Sequence, residues 1–445
     1  MLPDRLTVQP IARIQGTLVL PGSKSLSNRI LLLSALAVGE TEVTHVLNSE
    51  DTEVMLEALR RLGVGVRGRP GARETVWIQG RGGPLDAPRA GDAVGSSAPI
   101  ELFLGNAGTA MRPLAAVLAA GHGAFVLRGV PRMHERPIGD LAAGLRQLGG
   151  RVTCLEREGY PPLSIDAAGL AGGTARISGA TSSQFLSALL MAAPLARAPV
   201  AIEITDRLVS EPYVAMTLAL MARYGVRAEH PAPLRYEVPA PARYTSPGRV
   251  LVEGDASSAS YFLAGAAITG GKVRVEGCGS DSLQGDARFA EVLERMGAYV
   301  RVEPAAIEVQ GGPPLRGIDA HLTAMPDAAM TLAVAALFAR GPTTLRGIGT
   351  WRVKETDRMA AVSTELGKLG ARTEVGADSL VVHPPERIRA ASIATYNDHR
   401  MAMAFSLAAC GGEPVVIENP ACVAKTFPEY FEELERLAVH GRRGG

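Results

Sequence analysis

Two kinds of helix alternate along this chain. In the first, a helix rich in small apolar residues is followed by Gly and then by a β-branched strand, at 29–43, 110–127, 184–204, 260–275, 330–345 and 401–417. In the second, an amphipathic helix closes on an apolar residue plus Gly and again leads into a strand, at 55–66, 141–152, 215–226, 289–302 and 361–375. A last amphipathic helix, 430–438, is expected to end the chain without its strand. Apolar spacing near 3.6 marks the helices, and Gly after Leu, Met or Tyr marks their stops. Strict alternation of the two patterns predicts six β-α-β-α units of roughly 70–85 residues, three to each half of the chain.

A length of 445 residues exceeds one ordinary core and agrees with two domains. The Tyr-Thr-Ser-Pro-Gly stretch at 244–248, after a Pro/Ala-rich segment, marks one change of domain, and 21–22 marks another chain crossing. The Gly/Ala/Ser-rich segment 83–97 reads as a surface loop. Apolar residues at 47% and charged residues at 20% give the balance of a soluble globular protein. A formal net charge of +1 leaves no electrostatic footprint for nucleic acid or an anionic membrane, so any anion binding must be local. Cys154, Cys278, Cys410 and Cys422 are far apart, which points to neither a zinc site nor a disulfide framework and suits a reducing cytoplasm. The first residues carry Asp4, Arg5 and Arg13 and lack the apolar core of a signal peptide, and no apolar run approaches a bilayer span.

The chemistry is concentrated just before the helices. Ahead of the first kind stand Gly22-Ser23-Lys24-Ser25, Asn106-Ala107-Gly108-Thr109, Ser182-Ser183-Gln184, Asp255, Asp327 and Asp398-His399-Arg400. Ahead of the second stand Asp51, Arg132 to Pro137, Ser210 to Tyr213, Asp286, Lys354 to Arg358 and Lys425. Ser, Thr, Asp and Asn are ordinary helix caps, and Asp51, Asp255 and Asp286 read first as caps or packing residues. Capping does not account for the cations. A Lys or Arg at a helix start opposes the helix dipole unless an anion is bound there. Lys24, Arg29, Arg112, Arg132, Arg136, Lys354, Arg358, Arg400 and Lys425 all occupy or flank such positions, which predicts several bound anions. No single motif suffices: the Gly22–Ser25 stretch lacks the upstream Gly of a P-loop, and His399 beside Arg400 alone reads as a surface pair.

In combination the strings LPGSKSLSNR (20–29), LFLGNAGTAMRPLAA (102–116), PRMHERPIG (131–139), SSQFLSALLM (182–191), EGDASSASYFLA (253–264), WRVKETDR (351–358), TYNDHRMAM (395–403) and AKTFPEYF (424–431) resemble the EPSP synthase family of enolpyruvyl transferases. The resemblance implies an α/β, two-domain inside-out α/β barrel, each domain built of three βαβαββ repeats with buried helices. One lobe would be 22–251 and the other 1–21 plus 252–445, with the active site in the cleft between them. It implies transfer of the enolpyruvyl group of phosphoenolpyruvate to shikimate 3-phosphate, with release of phosphate and without metal or organic cofactor. Glyphosate would inhibit, the protein would be a cytoplasmic monomer, and the lobes would stay open until anions neutralised their cations.

Roles follow from the same resemblance. Ser25 and Arg29 would hold the shikimate carboxylate, and Ser182, Ser183, Ser210 and Lys354 its 3-phosphate, with Tyr213 and Gln184 on the ring. Lys24, Arg132 and Lys425 would hold the phosphoenolpyruvate phosphate near Asn106, Gly108 and Thr109, and Arg358 and Arg400 its carboxylate. Asp327 would orient or deprotonate the 5-hydroxyl, Glu355 and Lys24 would move the methylene proton, and His399 would support them. Crowded cations would make Lys24 lose its proton more readily and keep a nearby carboxylate charged. Thr350 stands where the family more often has Asn, and a hydroxyl cannot replace both functions of an amide. The related enzyme acting on UDP-N-acetylglucosamine usually carries a Cys in the segment matching 132–137; this chain has His134 there, while Cys154 falls in a strand and, with Cys278 and Cys410, reads as a buried small hydrophobe. An RNA-end-binding or scaffold protein on the same repeats would need a basic stripe or stacking aromatics, which net charge +1 and 4% aromatics disfavour.

Overall fold

A computed structural model describes residues 2–87 and 98–441. Most of the 83–97 segment, 88–97, lies outside the described residues. The chain divides into two compact units, Gly22–Val252 and Met1–Pro21 with Glu253–Gly445.

The unit Gly22–Val252 contains helices α1 (Lys24–Leu36), α2 (Glu50–Arg61), α3 (Gly108–Ala119), α4 (Pro131–His134), α5 (Gly139–Gln147), α6 (Ser183–Ala192) and α7 (Glu211–Arg223). Its strands form three four-stranded sheets of one design. In the second, Ile100–Phe103 pairs parallel with His122–Arg128, which pairs antiparallel with Leu163–Ala168, which pairs antiparallel with Val152–Cys154. The third sheet repeats this order with Gly173–Ile177, Val200–Ile204, Arg235–Val238 and Glu229–Ala232. In the first sheet the parallel partner of Glu40–Thr44 is Arg249–Leu251, so the last strand of the unit completes its first repeat. A parallel pair needs a crossover, and α3 and α6 supply it in the second and third sheets, whereas the parallel strands of the first are joined by the rest of the unit.

The other unit contains α8 (Ala256–Thr269), α9 (Phe289–Met296), α10 (Ala329–Ala335), α11 (Arg358–Lys368), α12 (His399–Ser406) and α13 (Tyr430–Leu437). The same order recurs in the sheet of Gly16–Val19, Lys272–Glu276, Ala306–Gln310 and Tyr299–Glu303, and in that of Asp319–His321, Thr343–Arg346, Ser379–His383 and Arg372–Val375. The third repeat closes through the N-terminal segment. Arg5–Val8 pairs antiparallel with Val415–Glu418, itself parallel to Ala391–Ile393, and Ile11–Ile14 pairs antiparallel with Ala438–His440. The expectation that the final helix ends the chain without a strand is therefore corrected: α13 runs into Ala438–His440, whose partner lies more than 400 positions earlier.

The two helical patterns have different fates. Every residue of α8, α10 and α12 is buried, and so is all of α1 except Ser25, of α3 except Thr109 and of α6 except Gln184. A helix apolar or small on all faces can only be an interior one. In α2, α5, α9, α11 and α13 a buried stripe faces charged residues on the opposite side. The fold is thus the α/β architecture of three βαβαββ repeats per unit with buried helices. Leu31, Leu32 and Leu33 of α1 are fully buried, and each such side chain contributes roughly 2 kcal/mol by leaving water. Some polar residues inside pair across helices: Ser260 and Thr331 share a hydrogen bond of 2.7 Å between α8 and α10, and Ser34 meets Tyr224 at 2.7 Å. Close approach also uses glycine. A Cβ on Gly22 would lie 2.1 Å from the His45 carbonyl oxygen. Cys278 and Cys410 are buried, whereas Cys154, expected to be, is half-buried and accepts the Gly159 N–H at 3.3 Å. Among the described residues no helix is long and apolar enough to cross a membrane.

Candidate active site

The helix starts of the Gly22–Val252 unit gather a connected polar cluster. Lys24 opens α1, is 7% exposed and has its Nζ 3.4 Å from Asp51 Oδ2. Asp51 is therefore not the cap of α2. Ser49 takes that part, in a reciprocal capping pair with Thr52. One turn after Lys24, Asn28 donates to Thr109 Oγ1 at 2.8 Å and ties α1 to the start of α3. Gly108 opens α3 between two buried guanidinium groups. A Cβ there would be 2.4 Å from Arg112 Nη1 and 2.9 Å from Arg136 Nη2. Arg136 donates to Asn106 O and Oδ1, both at 3.0 Å, and Arg112 donates to Gln184 Oε1 at 2.7 Å and to Pro137 O at 3.1 Å. Arg112 also lies over the Phe185 ring, 5.5 Å from its centroid.

A second group lies between α1, α6 and α7. Arg29 donates through Nε to Thr217 Oγ1 at 2.8 Å and through Nη1 to Ser25 O at 2.9 Å. Burial pushes its guanidinium down to about 10, against the pull of Tyr213, and leaves it charged at neutral pH. Ser182 caps α6 by accepting the Gln184 N–H at 3.3 Å, and Ser183 is buried behind it. Ser210 precedes α7 with φ 53°, a left-handed conformation disfavoured for a residue with a side chain. Tyr213 sits in the first turn of α7 and lends its carbonyl to Thr217 Oγ1 at 2.8 Å.

Two arginines near α4 separate here. Arg132 pairs with Glu135 Oε2 at 2.8 Å, on a side chain that is 29% exposed. Arg136 is the buried one whose guanidinium lies against Asn106 and Gly108. Arg112 and Arg136 thus belong to the cluster, although the sequence marked them only as basic helix starts. Arg132 opens the single turn of α4 and Arg136 follows it, and no local pattern announces which of the two is buried.

In the other unit the cations converge on carboxylates. Asp327, just before α10, accepts from Arg358 Nη1 at 2.8 Å, Lys354 Nζ at 3.3 Å and Arg400 Nη2 at 3.1 Å. Trp351, fully buried, donates its indole N–H to Pro326 O at 2.7 Å and so fixes the turn that presents Asp327. Burial alone would raise the Asp327 carboxyl. Arg400, Lys354 and Arg358 together outweigh it and hold the group well below the usual carboxylate range. Arg358 also donates to Asp398 through Nε at 2.7 Å and Nη2 at 3.2 Å, and to Glu355 Oε2 at 3.0 Å. Four of its five N–H groups are so directed, leaving one on Nη1.

Asp398 caps α12 by accepting the Arg400 N–H at 3.0 Å. His399 is fully buried with Nδ1 3.5 Å from Asp398 Oδ1, and Arg400 reaches Tyr261 Oη at 3.3 Å. These two are not a surface pair. Lys425, itself buried, ends the short turn Pro420–Lys425. The Thr350 hydroxyl is buried and makes no hydrogen bond among the described residues. Within each unit the cations have carboxylate partners: Lys24 faces Asp51, and Lys354, Arg358 and Arg400 face Asp327.

The three aspartates first read as caps or packing residues divide. Asp255 caps α8 through the Ser258 N–H at 2.8 Å, whereas Asp286 is buried, accepts the Ser257 hydroxyl and leaves Oδ1 without a hydrogen bond among the described residues. Burial and the nearby Asp327 push Asp286 up to about 7, against Ser257 and Arg400. Between the unfolded value near 4 and about 7 the native state holds a proton that the unfolded chain has released. Stability is then fully present below pH ~4 and falls as pH rises through 7. Asp286→Asn, which cannot ionise, should gain thermal stability relative to the unmodified protein as pH rises from 5 to 8. A Tm difference that stays constant across that range would show a carboxyl already charged.

The enolpyruvyl transferase NikO from Streptomyces tendae, 19% identical, covers 97% of both chains with a TM-score of 0.76 and shares the fold. EPSP synthase from Acinetobacter baumannii superposes over 98% of both chains with a TM-score of 0.81 at 27% identity. The family model described as EPSP synthase (3-phosphoshikimate 1-carboxyvinyltransferase) matches residues 8–434. The chloroplastic 3-phosphoshikimate 1-carboxyvinyltransferase of Arabidopsis thaliana is 55% identical across 98% of this chain and 85% of its own. The enzyme of that name from Serratia proteamaculans (strain 568) is 54% identical across 98% and 99%. The chain belongs to the EPSP synthase family and is a transferase.

Proposed function

We propose that this chain transfers the carboxyvinyl group of phosphoenolpyruvate to the 5-hydroxyl of shikimate 3-phosphate. The carrying observation is Asp327, a carboxylate held ionised by three cations and so present at neutral pH as an acceptor that can bind and orient the substrate hydroxyl as its proton is lost. The 5-oxygen adds to C2 of the enol phosphate while C3 gains a proton, giving a tetrahedral adduct. C3 then gives up a proton, the C2–O bond to the phosphate breaks, and enolpyruvyl product and phosphate leave.

In this reading Ser25 and Arg29 hold the shikimate carboxylate, Ser182, Ser183, Ser210 and Lys354 the 3-phosphate, and Tyr213 and Gln184 the ring. Thr350, with its buried unpaired hydroxyl, is suited to bond a substrate oxygen. Lys24, Lys425 and Arg132 serve the phosphate of phosphoenolpyruvate, and we add Arg136, whose buried guanidinium lies beside Asn106 and Gly108 and near Thr109. Arg400 and Arg358 serve its carboxylate. With one N–H uncommitted, Arg358 offers a single bond there unless Asp327, Glu355 or Asp398 lets go. Glu355 and Lys24 are the groups that move the C3 proton, with His399 supporting the α12 start.

Phosphate release tests the assignment. Mixing the protein with phosphoenolpyruvate and shikimate 3-phosphate should release phosphate at a steady rate, and UDP-N-acetylglucosamine as acceptor should not. Release with the nucleotide sugar alone would transfer the chain to the related activity, and no release with either acceptor at micromolar protein would end the enzyme reading.

A further inference from the structure

We infer that Glu365 is a positioning residue that holds the left-handed Tyr396–Asn397 turn and thereby sets Asp398 against Arg358 and Arg400 against Asp327. This rests on the proposed role of Arg400 in binding the phosphoenolpyruvate carboxylate. Glu365 lies two turns into α11 and is fully buried. Its carboxylate takes three donors: the Tyr396 hydroxyl on Oε1 at 2.8 Å, and on Oε2 the Ala394 N–H at 3.2 Å and Lys368 Nζ at 2.8 Å. Lys368 also donates to Ser392 O at 3.2 Å, so the same helix face reaches the preceding strand.

The segment so held is unusual. Tyr396 and Asn397 are consecutive non-glycine residues with φ 53° and 55°, a conformation tolerated by Asn but disfavoured for Tyr. Such a turn persists only when its surroundings over-determine it. Thr395 Oγ1 donates to Glu418 O at 2.9 Å, Asn419 Nδ2 to Asn397 Oδ1 at 3.2 Å, and the Asp398 N–H to Thr395 O at 2.9 Å. Burial, then Glu365, raise the Tyr396 phenol to about 12, so it stays a donor at working pH.

α11 therefore grips this segment at two points. Arg358 at its start binds the Asp398 carboxylate, and Glu365 two turns later binds 394–396. Between the grips the chain turns left-handed and enters α12 at His399 and Arg400. Loosening the second grip leaves the Arg358–Asp398 pair in place but frees the approach to Arg400.

Steady-state kinetics of Glu365→Gln and Tyr396→Phe test the inference, with Tm as the folding check. Gln can accept from Tyr396, but its amide N–H groups face the Ala394 N–H and Lys368, which are donors too. Glu365→Gln should raise KM for phosphoenolpyruvate on the order of tenfold and change KM for shikimate 3-phosphate less than about twofold. Tyr396→Phe should act in the same direction, and the double variant should be little worse than Glu365→Gln alone, because both cut one link. Equal losses in both KM values and kcat, or additive effects, would overturn the inference. Should Glu365→Gln fail to fold, Tyr396→Phe decides alone, since it removes one oxygen. Arg400→Lys separates the two levels. If it raises KM for phosphoenolpyruvate and Tyr396→Phe does not, the brace fails; if Arg400→Lys leaves that KM unchanged, the carboxylate assignment fails and the inference with it.

Discussion

Asp327→Ala is expected to lower kcat by roughly 10²–10⁴-fold, the usual contribution of a positioned acid or base, while the affinity for shikimate 3-phosphate changes by less than about fivefold. The carboxylate is the shared partner of Lys354, Arg358 and Arg400, and their charges are what keep it ionised against burial. Removing it takes away the acceptor for the hydroxyl proton but leaves the groups assigned to the substrate phosphates in place. Arg358 keeps Glu355 and Asp398, so its burial stays compensated. Asp327→Asn provides the control of shape: it retains the volume and loses the base, and should be about as slow as the Ala variant. Single-turnover rates and equilibrium binding of shikimate 3-phosphate decide the matter. Equal losses in binding and turnover would make Asp327 a strut for the cations.

Gly108→Ala is expected to raise the inhibition constant of glyphosate by roughly 5- to 150-fold, the range that an overpacking cost of ~1–3 kcal/mol converts to. KM for phosphoenolpyruvate should rise less. The added methyl would stand 2.4 Å from Arg112 Nη1 and 2.9 Å from Arg136 Nη2. Neither guanidinium can move freely, because Arg112 is committed to Gln184 and Pro137 and Arg136 to Asn106. Glyphosate carries one more atom than phosphoenolpyruvate between phosphorus and carboxylate, so a shortened site penalises it more. Both guanidinium groups are held there by the protein itself, so the fold meets the same methyl, and a fall in Tm should accompany the change. Inhibition measured in competition with phosphoenolpyruvate is the check, and an unchanged constant would remove Gly108 from that pocket.

The repeat plan and the basic helix starts were open to reading along the chain because both are written in local order. A helix with small apolar residues on every face has to be interior, and α8, α10 and α12 are. A Ser, Asp or Asn before such a helix is a cap by its own chemistry, as Asp255 and Asp398 are. What local order could not supply was partnership. Asp51 reads like Asp255, yet it faces Lys24 from the first turn of α2 while Ser49 caps that helix. Asp286 reads like a cap and is a buried carboxyl beside Ser257. Arg132 and Arg136 differ by one helical turn in sequence, and the second is the one buried against Asn106 and Gly108.

The sequence by itself determined the six alternating units, the interior helices, the family and the positions where cations meet helix starts. Each of these depends on residues within a few turns of one another. The tertiary structure alone decided which carboxylate neutralises which cation, that Arg249–Leu251 completes the first repeat of its unit, and that Ile11–Ile14 receives the strand after α13. It also decided that Glu365 reaches the Tyr396–Asn397 turn. Those pairings join residues up to hundreds of positions apart, and charge and backbone hydrogen bonding carry no mark of distance along the chain until the packed helices bring their ends together.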